Sequence, residues 1–277
     1  MTNQINDTAP PAYSNAQGRA LSLDDLRQRT PAVFGTTPSE RTRPTYRFIS
    51  THAVLEALLD AGFQVANARQ TRTRRGANPS YSRHMIRLRP MRALLSLDEC
   101  IPEICLINAH DGTSAYQLLA GLYRPLCTNG LLCRMGDFAV VRIPHRANVI
   151  ADVVAGAREL TEQFGRIESL VRAMAARMLS EAEALAFAER AFHIRWADPA
   201  NQPRLNPSRL LEARQAADVS PTLWHTFNKV QQATMAGGLV YASGNARLVR
   251  TRRISSIRED VRVNCALWQA AVSVLES

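Results

Sequence analysis

The chain has 277 residues, 34 of them Lys or Arg against 24 Asp or Glu, a net charge of +10, and 46% of it is apolar. That length and apolar content allow one large domain or two ordinary ones with a proper core, and exclude a chain disordered throughout. No apolar run approaches the ~20 residues of a membrane-spanning helix, Met1–Pro10 lacks the features of a secretory signal, and five cysteines without framework spacing fit a reducing cytoplasm.

The charge is almost purely arginine, since Lys229 is the single lysine. Guanidinium groups favour planar, bidentate contacts to phosphate and stack on bases. Residues 41–92 hold eleven arginines against Glu56 and Asp60, and residues 221–277 carry a further excess of +4. Two basic clusters separated by a near-neutral region point to a polyanion partner rather than to a merely solvated face.

In chain order, residues 1–44 read as a flexible polar tail with a short helix around Leu21–Arg29. Thr51–Asp60 reads as a helix capped by Ser50 or Thr51 and stopped by Gly62. Two extended stretches follow, Phe63–Arg74 and Tyr81–Arg89, joined by the turn chemistry of residues 75–80. In the second, Ser82, His84, Ile86 and Leu88 form a core face, and Tyr81, Arg83, Met85, Arg87 and Arg89 point the other way. That second face is expected to be open to solvent, an arginine surface beside an aromatic ring. Further strands are expected at Glu103–Asn108, Ala115–Arg124 and Phe138–Ile143, with a turn at Asp111-Gly112-Thr113. The fold class is therefore α+β: an antiparallel meander over residues 45–149, packed on helices, followed by a helical region over 150–277.

In that helical region, Ala157, Leu160, Phe164, Ile167, Val171, Met174 and Met178 mark the seam of a long helix, available for subunit packing or for the chain's own core. Ser180 with Glu183 opens a second helix. Ser220-Pro221 opens a third that runs to Gly237-Gly238. Residues 239–258 are a basic loop or short hairpin, and Ser256 with Glu259 opens a terminal helix that buries Val263, Leu267, Trp268 and Ala271.

Chemistry-bearing motifs are sparse. There is no C-x-x-C, no H-E-x-x-H and no phosphate-cradling glycine loop, so neither a metal site nor a cofactor is expected. Cys100, Cys105, Cys127 and Cys133 read as packed thiols. His110, Asp111, Cys127 and Asn129 fall in one region and could build a Cys/His hydrolase, although Asp111-Gly112 and Asn129-Gly130 are also ordinary turn formers.

The stretch Asn108-Ala109-His110-Asp111-Gly112-Thr113, followed by Tyr123-Arg124-Pro125-Leu126-Cys127-Thr128-Asn129-Gly130-Leu131, resembles the paired motifs of the "domain of unknown function 932" family, phage- and plasmid-like proteins. Thr222-Leu223-Trp224, Phe227-Asn228 and Asn264-Cys265-Ala266-Leu267-Trp268 are similar to its C-terminal part, so the likeness spans about Tyr46 to Ala271. The chain departs from the pattern at Ala109 and Thr113, where small hydroxyl residues are usual. The family carries no settled activity, and leaves the roles of Asn108, His110, Asp111, Arg124, Cys127 and Asn129 open. What the resemblance implies is context: a mobile genetic element in the cytoplasm of a bacterial host.

Context and charge together give the leading expectation, a single-stranded DNA-binding or annealing protein without enzymatic activity. A meander followed by long helices is similar to the single-strand annealing proteins of recombination, which form rings or filaments. Arg72, Arg74, Arg75, Arg83, Arg87 and Arg89 would hold phosphates, with Tyr81 as a stacking platform. Arg247, Arg250, Arg252 and Arg253 would form a second wall. Replacing Arg83, Arg87 and Arg89 is expected to weaken binding without unfolding the protein. The alternatives are an anti-defence protein that binds a host nucleoprotein complex, or the hydrolase.

Overall fold

The computed structural model describes residues 20–44, 46–73, 77–91, 100–124, 131–133, 141–144, 148–244 and 247–277. Ser22 and Asp25 form a reciprocal capping box that starts α1 (Leu23–Arg29). Leu26, Ala32 and Val33 are fully buried, and the Leu21 amide donates to the Val65 carbonyl at 2.8 Å. Residues 21–35 therefore pack on the core, where a flexible tail was expected, because their few apolar side chains find the sheet, whereas none of residues 36–44 is buried. Ser50 caps α2 (Thr51–Asp60), whose Thr51, Val54, Leu55 and Leu58 form one buried stripe, and Gly62 ends it at φ 92°.

Six strands form one antiparallel sheet: β1 (Phe63–Gln70), β2 (His84–Pro90), β3 (Ile101–Asn108), β4 (Tyr116–Tyr123), β5 (Leu131–Cys133) and β6 (Val141–Ile143). The first four are a meander. β5 pairs with β4 along Ala120–Leu122, and β6 pairs with the other half of β4 along Tyr116–Leu118. The strand expected from Tyr81 starts later. Pro79–Tyr81 instead form a 3-10 turn, with the Asn78 side chain accepting from the Ser80 amide at 2.9 Å. Tyr81 and Arg83 thus precede the strand.

Both faces of the sheet are covered. Ile86, Leu88, Ile104, Leu106 and Leu118 face α1, α2 and α3 (Val149–Glu162). Gly156 lets α3 lie close, because a Cβ there would sit 3.0 Å from Val141 Cγ1 and 3.1 Å from Leu118 Cδ1. Met85, Cys105, Ile107, Leu119 and Leu132 lie under the N-terminal half of α7 (Ile257–Glu276), which covers them with Ile257, Val261 and Cys265. The second face of β2 is therefore a buried layer, contrary to the open arginine surface read from its alternation. Period-two patterning marks two faces but cannot say which of them a distant helix covers.

The seam of α3 and α4 (Phe164–Ala176) is broken at Gln163. Its members from Ala157 to Met174 are buried in this chain's own core, and Met178, past the end of α4, is exposed. Between α4 and α7 come α5 (Glu181–Arg195), capped by the expected Ser180/Glu183 box, and α6 (Leu223–Ala236), whose cap is Thr222 rather than Ser220. The basic stretch forms a hairpin of β7 (Val240–Ala242) and β8 (Leu248–Arg250). The C-terminal half of α7 packs among α4, α5 and α6, with Trp268 fully buried and edge-on to Phe227 at 6.0 Å.

Candidate functional site

The expected binding residues fall into three settings. Arg74, Arg75, Cys127 and Asn129 lie outside the described residues.

The first setting is a polar knot on the α2 side of the sheet. Thr51, His84, Asn108, His110 and Tyr116 are all fully buried, on α2, β2, β3, the turn after it, and β4. His84 Nδ1 lies 2.9 Å from the Ser82 carbonyl, which can only accept, so that nitrogen carries the proton. Its bare Nε2, at 2.9 Å, then accepts from the Thr51 hydroxyl. The Thr51 oxygen in turn accepts from Asn108 Nδ2 at 3.1 Å and from His110 Nε2 at 3.2 Å. Tyr116 donates to the Ile49 carbonyl at 3.0 Å. Burial, above all, pulls the His84 pKa down to about 3, so the ring is neutral. Phe48 lies over His110, with ring centres 4.9 Å apart. Asp111 is engaged in the turn, accepting from the Thr113 amide at 2.9 Å and its hydroxyl at 2.6 Å, with Gly112 at φ 75°. His110 is sealed from solvent and Asp111 is held in the turn, which argues against their use as a catalytic pair.

The second setting is the layer beneath α7. Arg87 Nη1 and Arg89 Nε each donate to Glu103 at 2.8 Å, and Glu103 is fully buried. The Arg89 guanidinium also lies over the Tyr123 ring, 4.6 Å from its centre. Arg87 and Arg89 are therefore internal ion-pair partners and not free phosphate ligands, a correction that follows from α7 lying over them. Beside them, burial pushes the Cys105 thiol up to about 12, which keeps it protonated and inert. Arg69 pairs with Asp260, Asp260 accepts from Asn264 at 2.7 Å, and Asn264 accepts from Gln231 at 2.9 Å. That relay ties α7 to β1 and α6. Arg124 is likewise internal, bonded to the buried Asp218 at 2.6 Å.

The third setting is open. In an antiparallel sheet, residues opposite one another point to the same face. One such row runs Arg69, Met85, Ile107, Gln117, Arg142 across β1, β2, β3, β4 and β6. The first turns of α7 cover the row from Arg69 to Ile107 and stop short of Arg142. The uncovered end forms a groove of about 380 Å³ between the sheet and α7. Arg83, Arg142, Arg258 and Arg262 line it, with Thr113, Ser114 and Gln117 as further polar groups and Ile107, Ala115, Ile257 and Val261 as an apolar floor. Arg262 is held by Glu259 at 2.7 Å. Arg83, Arg142 and Arg258 form no ion pair among the described residues. The only hydrogen bonds of the Arg83 side chain there are long ones to Thr113, at 3.4 and 3.5 Å. Partial burial, then repulsion from Arg258, lowers the Arg83 pKa against the pull of Asp111. A site that gathers like charges this way gains by taking an anion.

Arg247, Arg250, Arg252 and Arg253 are exposed on the hairpin and on the segment leading into α7, in which Arg258 follows. Arg72 is exposed beyond β1, and Tyr81 is half-buried. Sequence reasoning missed Arg142, although Val141 and Ile143 alternate around it. It also missed the role of Thr51, whose place at a helix start reads as a cap, and of Glu103, the one carboxylate in an otherwise apolar strand.

The model of a family described as a domain of unknown function, DUF932, matches residues 40–268 of the chain. Two Escherichia coli K12 proteins, UPF0380 protein YafZ and UPF0380 protein YfjQ, are each 35% identical to it over 257 residues, covering 93% of this chain and 92% of theirs. No solved structure matches.

Proposed function

The chain belongs to the DUF932 family, and we propose that it binds single-stranded nucleic acid, DNA in the first instance, through the arginine groove and the basic hairpin. One observation carries the reading: Arg87, Arg89 and Arg124 in the interior each have a carboxylate, whereas Arg83, Arg142 and Arg258 line an open groove and form no ion pair among the described residues. Arg247, Arg250, Arg252 and Arg253 extend the basic surface and would track further phosphates. A groove of about 380 Å³ is on the scale of one nucleotide rather than of a duplex, which supports an unpaired strand as the ligand. Annealing by a ring or filament of subunits, in recombination or in the DNA processing of a mobile element, is the further step of this proposal. It requires a particle larger than one chain when strand is bound.

The test is a salt titration of binding to single- and double-stranded oligonucleotides, with particle mass measured alongside. Affinity for the single strand falls with a slope of roughly −0.7 per phosphate neutralised. Replacing Arg83, Arg142 and Arg258 with Ala flattens the slope by about 2, three contacts' worth on that scale. A slope near zero, or no binding at low salt, overturns the proposal.

A further inference from the structure

The groove differs from a plain phosphate clamp in having two unlike walls. One carries Arg83, Arg142 and Arg258, beside Thr113 and Ser114, whose hydroxyls already donate to Asp111 and to the Ala115 carbonyl, and Gln117, whose amide donates to Ser114. The other is apolar: Ala115 and Val261 are partly exposed there, with Ile107 and Ile257 fully buried behind them. Partly exposed apolar side chains beside three arginines, one of them half-buried, fit a ligand that is itself half anion and half apolar ring.

The space sets the size of that ligand. At about 380 Å³ the groove lies at the small end of ligand pockets, which run from roughly 300 to 1,000 Å³. It accommodates one nucleotide unit and not a run of stacked bases.

We infer that the groove is a pocket for a single nucleotide, with the phosphate on Arg83, Arg142 and Arg258 and the sugar and base against Ala115 and Val261. This rests on the nucleic-acid reading above, and sharpens it: the pocket takes one flipped-out or terminal nucleotide of a strand, while the hairpin arginines hold the neighbouring backbone. Two other parts of the fold keep the pocket in shape. The Arg69–Asp260–Asn264–Gln231 relay fixes α7, and hence Arg258, against the sheet. Pairing of β6 with β4 places Arg142 opposite Gln117.

The experiment is calorimetric titration of the full chain with a deoxynucleoside 5′-monophosphate, the matching nucleoside, and inorganic phosphate, alongside a single-stranded oligonucleotide. The monophosphate binds, and binds more tightly than either of its parts. Arg142→Ala and Arg258→Ala, both at exposed positions, each weaken it about tenfold, the loss expected for one charge-assisted hydrogen bond. Val261→Ser weakens the monophosphate and leaves inorganic phosphate unaffected. Arg172→Ala, on the far-side helix α4 and paired with Glu168, changes nothing. Inorganic phosphate binding as tightly as the monophosphate overturns the inference by removing the apolar wall from the interaction. Oligonucleotide binding that depends on Arg142 and Arg258, without monophosphate binding, also overturns it and leaves the strand-binding proposal standing. Monophosphate binding that depends on those arginines, with no oligonucleotide binding, keeps the pocket and ends the strand-binding proposal. Binding of neither ends both.

Discussion

Glu103→Gln is the perturbation that separates a structural arginine from a ligand-binding one. The native carboxylate is fully buried and accepts from Arg87 and Arg89 at 2.8 Å each. Removing one partner of a buried ion pair costs about 3–5 kcal/mol, because the other charge stays desolvated and unpaired. Here one carboxylate serves two guanidinium groups, so the loss lies towards the top of that range, ~4–5 kcal/mol. Glutamine preserves the shape and one acceptor oxygen, and Tyr123 still lies under Arg89, which keeps the figure from going higher. Against a whole-domain stability of roughly 5–15 kcal/mol this is a large fraction. In urea unfolding it moves the midpoint by about 2 M, for an m-value of ~2 kcal/mol/M. Replacing all three groups together (Arg87→Met, Arg89→Met, Glu103→Leu) recovers most of the loss, since an apolar cluster of similar volume needs no charge compensation. A midpoint shift below about 0.5 M for Glu103→Gln would refute the assignment of Arg87 and Arg89 to the interior, and would return them to the list of free phosphate ligands.

Three more consequences can be measured the same way. The His84 pKa is about 3 in the fold against an ordinary 6.5, so its contribution is complete above pH 6.5 and lost as pH falls towards 3. Unfolding free energy should drop by about 2 kcal/mol between pH 6.5 and 5 at ~1.4 kcal/mol per unit, and His84→Gln should flatten that slope; an equally steep slope in the variant contradicts the neutral, buried ring. Trp268→Ala, which empties a fully buried site against Phe227, should cost roughly 3–5 kcal/mol, and a cost under 1 would show that the terminal helix is not packed this way. Asp218→Asn should cost about 3–5 kcal/mol through the stranded Arg124, read as a lowered urea midpoint, with no effect on the salt dependence of strand binding; a changed salt slope would place Arg124 at the ligand instead.

Local signals in the sequence were legible where one element decides its own shape. The Ser180/Glu183 box, the stop at Gly62, the turn at Asp111-Gly112-Thr113 and the buried stripe of α7 all follow from residues within a few positions of one another. What was not legible depends on distant chain. The alternation of β2 separates His84, Ile86 and Leu88 from Met85, Arg87 and Arg89, and the strand is built that way. Whether the second set meets water depends on Ile257, Val261 and Cys265, more than 160 positions later. β5 is three residues long and has too few positions to show a period. The candidate groove was half legible: Arg83 and the basic C-terminal cluster stand out by charge, whereas Arg142 joins them only through the register of β6 on β4.

The position of Arg83 explains how the same residue type serves opposite ends within a few positions of chain. Arg83 precedes β2, half-buried at the open edge of the α7 cover; Arg87 and Arg89 lie within it, two and three repeats of the pleat further on. Inside the cover a guanidinium is tolerable only with a carboxylate, and Glu103, on the adjoining strand, is shared between the two. Outside it, charge is stable in water and needs no partner, so the groove arginines keep their capacity for an incoming anion. Each interior carboxylate therefore offsets basic charge that could never reach a ligand, as Asp218 does for Arg124 and Asp260 for Arg69. The net +10 of the chain must then be carried by the surface, and it is there, around the groove and the hairpin, that a polyanion would find it.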